Sequence, residues 1–296
     1  MRTWLVAFMV MLVACCVRGD VLFMTWNMKW FPSGRADLRS GDDEESATLT
    51  QAARIVAGAV ADQTRRSSAD IVMFAQEMRD AECCSNLVSA AGVKGLNVAA
   101  VSCFQDNSGV PLWQQVAIFT TLPVLRSGYA VWSNAEVPIP RGFAYALLDA
   151  GPNARIACFS IHLKSNFARD NTEFENQKNI YKREAAAAQI LAVVRQLGEK
   201  YEDKKLQVVV GGDFNTNDDD LEYVSEATIR SFYGAHFRSC FRDLKKSQKI
   251  THPGTNGFPD ATFDYILYRG FERIVSRKIY QGAPVSDHNL VTLRLR

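Results

Sequence analysis

The sequence lacks a net charge of either sign once its first 19 residues are set aside. Two of the 34 basic residues, Arg2 and Arg18, lie in that segment, and the remainder balance the 32 acidic residues. A chain without an overall field does not attract a polyanion by its net charge. Composition therefore neither excludes nucleic acid as a partner nor argues for it.

Cysteine is scarce, and its spacing does not fit a zinc site. Five cysteines follow the first 19 residues: Cys83, Cys84, Cys103, Cys158 and Cys240. The number is odd, and the spacing matches no common ligand pattern. In an oxidising compartment we expect one or two disulfides, with Cys103 bonded to Cys83 or Cys84. The alternative is a set of free buried thiols, which we expect for Cys158 inside a strand.

The hydrophobic run at the N-terminus is too short to span a bilayer comfortably. It covers residues 4–14 and is typical of a secretory signal. We expect a signal peptide over residues 1–19 and an exported protein, either secreted or periplasmic. Cleavage after Gly19 is one alternative. The other is cleavage within a lipobox-like stretch, which would leave Cys15 acylated and tether the protein to a membrane.

No repeat, low-complexity tract or linker divides the rest of the chain, so we expect one domain over residues 20–296. Predicted helices cover residues 49–64, 82–91, 179–197 and 221–231, with a polar loop at 33–47. Predicted strands cover residues 21–28, 69–77, 98–104, 115–120, 124–132, 144–149, 155–163, 208–210, 262–267, 274–279 and 290–295. Strands in hairpin-linked groups favour two largely antiparallel sheets packed together, with helices outside.

One stretch combines a buried strand with chemically useful side chains. Residues 208–210 are three valines, and Gly211 and Gly212 are expected to end the strand they form. Asp213 and Asn215 follow two residues apart, so a continuing strand would point both side chains to the same side. A carboxylate beside an amide oxygen suits a hard cation or a phosphate-bound water. The alternative is a simple Asp/Asn turn.

Other predicted strands end on similar residues. These are Asn27, Glu77, His162 and the pair Asp287-His288, while Asp264 interrupts an apolar strand. Each has an ordinary structural explanation when taken alone: a helix cap for Glu77, a structural histidine for His162, a salt bridge for Asp264. Together they predict one polar site at the strand ends.

Six short motifs, in this order, resemble the endonuclease/exonuclease/phosphatase superfamily: Trp26-Asn27, Gln76-Glu77, Ser160-Ile-His-Leu163, Gly212-Asp-Phe-Asn215, Phe263-Asp-Tyr-Ile266 and Ser286-Asp-His288. The superfamily includes deoxyribonucleases, abasic-site endonucleases, inositol polyphosphate phosphatases and sphingomyelinases. The resemblance implies a four-layer α/β/β/α sandwich with the site at one end of the paired sheets.

The resemblance also implies a metal centre. Glu77 would be the principal Mg²⁺ ligand, with Asn27 and Asp287 helping to hold the ion; Mn²⁺ or Ca²⁺ could substitute. Mg²⁺ keeps several water ligands and needs only one or two carboxylates, which fits this sparse set. One such ion and a protonated imidazole can stabilise the charge that develops on a phosphodiester under attack.

By the same resemblance, Asp213 would orient or deprotonate the attacking water, and Asn215 would position the water or the phosphate. His162 would donate a hydrogen bond to phosphate oxygens. His288, oriented by Asp264, would act as the acid/base or electrostatic partner. Candidate substrate contacts are Arg141, Lys164 and Asn166, and His252 receives no role.

The expected function is an exported, Mg²⁺-dependent phosphodiesterase without an obligate protein partner, and its expected substrate is a nucleic acid, DNA or RNA. Lys245, Lys246, Lys249 and the pair Arg65-Arg66 could grip a phosphate backbone or simply be solvated. An alternative is a phosphatase or sphingomyelinase-like enzyme acting on a small or lipid phosphoester. A third hypothesis, a catalytically retired binding protein, is disfavoured because none of the hydrolytic residues is missing.

Overall fold

The computed structural model describes residues 19–35, 41–133, 135–166, 172–201, 205–255 and 259–296. The proposed signal peptide and Cys15 lie outside these residues, so their cleavage and acylation stay predictions. Within the described ranges, we find no helix with the length and apolar character needed to cross a membrane.

The described chain folds into twelve strands and four α-helices. The helices are α1 (Asp42–Thr64), α2 (Ala81–Ala91), α3 (Glu173–Lys200) and α4 (Thr228–Gly234). The strands are β1 (Asp20–Phe31), β2 (Ala69–Met78), β3 (Asn97–Val101), β4 (Gln115–Thr120), β5 (Val124–Val131), β6 (Gly142–Asp149), β7 (Ala154–His162), β8 (Lys205–Asp213), β9 (Arg238–Ser239), β10 (Asp264–Arg269), β11 (Ile274–Tyr280) and β12 (Leu290–Leu295).

The strands form two six-stranded sheets. The first has the order β11-β12-β1-β2-β4-β3 and the second β5-β6-β7-β8-β10-β9. Each sheet has one parallel pair at its centre, β1 with β2 and β7 with β8, and its other pairs are antiparallel. Helices α1 and α3 make the crossovers that parallel neighbours require. The expectation of two largely antiparallel sheets is confirmed.

Side chains of the central strands point alternately to the two faces of each sheet, and this alternation produces the four layers. In β1, Leu22 and Met24 join a core that includes Ala52 and Val56 of α1. Phe23, which lies between them in sequence, points the other way into the core that the two sheets share. That second core continues through β8 to residues of α3 and α4, including Ile190 and Phe232. The predicted α/β/β/α sandwich is thus confirmed.

The helix α1 starts earlier than residue 49, where the sequence pattern placed it. Its first turn contains the acidic run Asp42, Asp43, Glu44 and Glu45, which we had placed in the polar loop. Carboxylates are stabilised beside the free backbone N–H groups and positive dipole end of a helix N-terminus. The run is therefore a start signal for the helix.

The predicted helix over residues 221–231 is wrong except for its last four residues. The chain forms a single 3₁₀ turn, Leu221–Tyr223, and α4 begins only at Thr228. Between them, Glu226 is buried against α3. Its Oε1 accepts a hydrogen bond from Nε of Arg183 at 2.8 Å. This tertiary contact outweighs the helical propensity of the segment.

The expected disulfides are also absent from the described residues. Cys83 and Cys84 are buried neighbours on α2, whereas Cys103 is exposed, and all three are free thiols. The Cys83 sulfur instead accepts from the backbone N–H of Asp80, at 3.4 Å, and so helps to cap α2. Cys158 and Cys240 are free and buried, as the alternative interpretation expects.

Candidate active site

The site lies where the central strands of both sheets end. In β8 the strand does not stop at the glycines but runs through Gly211 and Gly212 to Asp213. A side chain at Gly211 would collide with the ring of Phe74 in the facing sheet, and one at Gly212 with the carbonyl of Ile161 in β7. The glycines therefore permit close packing along the last residues of the strand.

Strand pairing brings the polar residues together. Asp213 lies opposite His162 in the parallel pair β7–β8 and opposite Asp264 in the antiparallel pair β8–β10. Asn27 lies opposite Gln76 in the parallel pair β1–β2 of the other sheet. Gln76 then crosses between the sheets, because its amide donates to the Ser160 hydroxyl of β7 at 3.3 Å. Both sheets thus contribute to one end of the sandwich.

Glu77 reaches the site through an irregularity in β2. It has φ 58°, a rare conformation for a non-glycine residue, and the register with β4 shifts between Gln76 and Met78. Such bulges re-aim side chains near active sites. The Glu77 carboxylate accepts from the Asn27 amide at 3.3 Å and from the backbone N–H of Trp30 at 3.0 Å.

One amide connects the carboxylates of the two sheets. Asn27 Nδ2 donates to Glu77 Oε1 and, at 2.9 Å, to Asp213 Oδ2. All three side chains are buried. Burial raises the pKa of Glu77, because a charged carboxylate loses its hydration there. Buried carboxylates beside an amide fit the oxygen ligands that a hard divalent cation prefers.

His288 is held in place by contacts on several sides. Its Nδ1 lies 2.8 Å from Asp264 Oδ2, and its backbone carbonyl accepts from the Trp26 indole at 2.9 Å. The Ser286 hydroxyl accepts from the His288 backbone N–H and donates to the Asn27 carbonyl at 2.7 Å. The loop before β12 is thereby tied to the end of β1.

The electrostatics favour a charged His288 and a partly protonated Asp213. Burial opposes charge on His288, but the Asp264 carboxylate and its hydrogen bond outweigh burial and raise the His288 pKa to about 10. Burial and the charge of Asp264 raise the Asp213 pKa to about 7, against the opposing effect of His288. The pair therefore places an acid and a potential base side by side near neutral pH.

His162 is neutral. Burial and the charge of Arg141 hold its pKa well below the usual range. Its Nε2 lies 3.7 Å from both Glu77 Oε1 and Asp213 Oδ2, beyond hydrogen-bond distance. A neutral imidazole between two carboxylates can still donate one hydrogen bond to a substrate oxygen.

Asn215 lies beyond the strand end, so the premise that Asp213 and Asn215 share one strand face is wrong. Asn215 has φ 51°, and its backbone N–H donates to Asp213 Oδ1 at 2.9 Å, as in an Asx turn. Its side-chain amide donates to the Leu163 carbonyl at 3.2 Å. The residue thus clamps the ends of β7 and β8 together, next to His162.

The candidate substrate contacts lie near the C-terminal end of β7. Arg141 is partly buried, and its Nη2 reaches the carbonyls of His162 and Leu163 at 3.4 and 3.3 Å. Burial lowers the pKa of the half-buried Lys164, whose carbonyl accepts from Arg183 at 3.0 Å. Asn166 donates to the Tyr223 hydroxyl at 2.7 Å. Their roles in binding stay predictions.

Asp287 differs from the buried carboxylates. Its Oδ2 forms an ion pair with Lys29 Nζ at 3.0 Å, and its side chain is about one-third exposed. Its proposed part in holding the metal stays a prediction. The sequence pattern gave no role to Lys29, or to His252, whose ring lies 4.7 Å from that of His288 between centroids. No motif pointed to either contact, because both depend on how separate loops meet.

The fold and this cluster define an α/β/β/α sandwich of the phosphoesterase type. Residues 24–288 match the model of the Endonuclease/Exonuclease/phosphatase family, and the chain belongs to that family. Its members are metal-dependent phosphoric ester hydrolases that act on phosphodiesters such as nucleic acid or lipid. When bound, the divalent metal supplies a Lewis acid that stabilises charge on phosphate oxygens. Glu77 and Asp213 offer carboxylate oxygens of the kind it requires, whereas the Asn27 oxygen accepts from the Lys29 backbone N–H.

Solved structures agree with this assignment of the fold. SmcL superposes with a TM-score of 0.61 at 14% identity, covering 94% of this chain and 99% of that one. Sphingomyelinase C from Streptomyces griseocarneus gives 0.58 at 15% identity, with coverage of 94% and 99%. TDP2 from C. elegans gives 0.60 at 14% identity, with coverage of 93% and 75%. No curated protein matches the sequence.

Proposed function

We propose that this protein is an exported, Mg²⁺-dependent phosphodiesterase whose substrate is a nucleic acid, DNA or RNA. The convergence of Glu77, Asp213 and the Asp264–His288 pair at one end of both sheets carries the proposal. The 1–19 segment supports export, as a sequence argument alone. Cys15 stays a candidate tether for the same reason.

The geometry suggests how the work is divided. Glu77, Asn27 and Asp287 would hold the metal, and Asp213, with its pKa of about 7, would orient and deprotonate the attacking water. The charged His288 stabilises the pentavalent phosphate and gives its proton to the leaving oxygen. His162 donates to a non-bridging oxygen, and Asn215 keeps His162 and Asp213 in register.

Charge near the site supports a polymeric phosphate substrate. Lys29 and Lys164 are partly exposed; Lys164 and Arg141 lie close enough to His162 to lower its pKa, and Lys29 pairs with Asp287 beside His288. Phosphates flanking the scissile bond of a nucleic acid would meet these cations. Lys246 and Lys249 form ion pairs with Asp220 and Asp219, as Lys29 does with Asp287.

A second candidate substrate is a lipid phosphoester, which is supported by two exposed apolar side chains near the site. Leu221 and Val224, on the 3₁₀ turn and just after it, are 86% and 62% exposed. They flank Tyr223, which binds Asn166 near the site. Exposed apolar side chains beside a catalytic site suit contact with a membrane surface.

Hydrolysis assays separate these possibilities. The chain from Asp20 onward would be incubated with plasmid DNA, RNA, sphingomyelin vesicles and a bis-phosphodiester, each with Mg²⁺ or with EDTA. We expect Mg²⁺-dependent cleavage of DNA or RNA, with a rate that falls as salt rises. Cleavage of sphingomyelin alone would favour the lipid alternative. No hydrolysis of any substrate would favour the retired binding protein.

Two variants test the site itself. Glu77→Gln should raise the Mg²⁺ concentration needed for half-maximal rate by at least about tenfold, because an anionic ligand is lost. His288→Ala should lower the rate by about 10²-fold or more. His236→Asn, a change at a histidine outside the site, serves as the control. Full activity in His288→Ala would contradict the proposed mechanism.

A further inference from the structure

A second group of metal-ligating side chains lies at the outer edge of the site. Ligand atoms of His252, Asp287 and His288 all lie within 4.8 Å of one another. His252 and Asp287 are partly exposed, whereas His288 is buried. Asp287 and His288 belong to the site already described, but His252 has no part in the hydrolytic mechanism proposed above.

The two imidazoles lie next to each other, and one of them is supported by a carboxylate. The rings of His252 and His288 meet at 66° with centroids 4.7 Å apart. Asp264 occupies Nδ1 of His288, whereas Nε2 lies 3.9 Å from Asp213 Oδ2, beyond hydrogen-bond distance, and can bind an external partner. A carboxylate on the far nitrogen is the common support of a metal-bound histidine, because it fixes the tautomer and the ring orientation.

The donor atoms select a different ion from the one expected at Glu77. Asn27, Glu77 and Asp213 offer oxygen, which hard cations such as Mg²⁺ prefer. Two imidazoles with one carboxylate form a ligand set found around Zn²⁺, with a fourth position open to water. The structure thus contains two neighbouring cation environments of different chemistry.

We propose that His252, Asp287 and His288 form an inhibitory Zn²⁺ site that adjoins the Mg²⁺ site and shares Asp287 with it. On binding, the ion takes the place of the proton at Nε2 of His288, which passes to solvent, and Asp287 leaves Lys29 for the metal. His288 then has no proton to give to a leaving oxygen, so hydrolysis stops. Binding stands on geometry alone, whereas inhibition also rests on the proposed function.

Direct binding is the primary test. Isothermal titration with ZnCl₂ would be run on the chain from Asp20 onward, without Mg²⁺ and with saturating Mg²⁺. The matched variants are His252→Asn and His236→Asn, which make the same change inside and outside the cluster. We expect the Zn²⁺ dissociation constant to rise at least about tenfold in His252→Asn and to stay unchanged in His236→Asn. We also expect Zn²⁺ still to bind in saturating Mg²⁺, with a higher dissociation constant, because the two ions share only Asp287.

Equal Zn²⁺ affinity in both variants and the original chain, or complete competition by Mg²⁺, would overturn the proposal. Absorption spectra of the unsubstituted chain loaded with Co²⁺ give a readout that does not depend on the folding of a variant. A four-coordinate site with nitrogen ligands gives intense visible bands, whereas six oxygen ligands give weak bands. Weak bands would likewise overturn it.

Inhibition is measured separately. In Mg²⁺-dependent hydrolysis, the Zn²⁺ concentration for half inhibition should rise at least about tenfold in His252→Asn, while the rate without Zn²⁺ is retained. Unchanged inhibition would refute the inhibitory role. If no substrate is hydrolysed, the proposed function fails, and the titration still decides whether the Zn²⁺ site exists.

Discussion

The substitution Asp264→Asn tests whether the Asp264 carboxylate keeps His288 charged. Asp264 is fully buried, and its Oδ2 lies 2.8 Å from Nδ1 of His288. Asparagine keeps the shape of the side chain but removes its charge. The His288 pKa, now about 10, loses its main support and should fall toward the ordinary value of about 6.5, with Asp213 and Asp287 still raising it against burial.

The size of the effect follows from these two pKa values. At pH 8, a group with a pKa of about 10 is almost entirely protonated. At a pKa of about 6.5, about 3% would be protonated, a loss of about 30-fold in charged imidazole. The rate at pH 8 should therefore fall, by up to about that factor. The Asp213 pKa should also fall below about 7, because the like charge of Asp264 is gone.

Stability should follow the same titration in the metal-free protein. A folded-state pKa raised to about 10 stabilises the fold fully below about pH 6.5, and the stabilisation is lost as pH rises through 10. In Asp264→Asn that decline in the free energy of unfolding should disappear.

Nuclear magnetic resonance titration of the histidine rings, pH–rate profiles and urea unfolding measure these quantities. Asp243→Asn, the same change at an exposed carboxylate, is the control. A His288 pKa in Asp264→Asn within about one unit of the original would refute this reasoning.

Three further predictions concern the framework. Arg183→Met should lower the free energy of unfolding by about 3–5 kcal/mol, because it leaves the buried Glu226 without its partner; urea unfolding measures this, and adding Glu226→Leu should recover much of the loss. Gly211→Ala should cost about 1–3 kcal/mol, because the methyl group meets the Phe74 ring; an unchanged unfolding midpoint would contradict the packing. In the chain from Asp20 onward, a thiol reagent should modify Cys103 rapidly and the buried cysteines only after unfolding; rapid modification of two or more would contradict their burial.

Strand positions were predictable where short apolar runs ended at polar residues. The prediction for β4 and β12 matches the observed bounds, and most of the other strands differ by a few residues at their ends. The ordered motifs also predicted which residues meet, because strands paired in parallel end at the same edge. Asn27, Glu77, His162, Asp213, Asp264 and His288 do form one cluster.

The remaining features depend on tertiary contacts that local patterns do not contain. The bulge at Glu77 arises from a register shift between strands, and no residue type announces it. The segment after Asp220 has helical spacing, but Tyr223 and Glu226 are drawn toward Asn166 and Arg183 instead. The contact between His252 and His288 likewise depends on two loops distant in sequence.

The central parallel strand pairs determine how the site is lost when the protein unfolds. Asn27 and Glu77 lie on one sheet, and His162 and Asp213 lie on the other. All four are near the ends of the two central strands of their sheet. Fraying of an outer strand leaves these four positions untouched, whereas separating the sheets divides the site into halves. Amide hydrogens beside the four residues should therefore exchange only through near-global opening, and activity and fold should be lost at the same denaturant concentration.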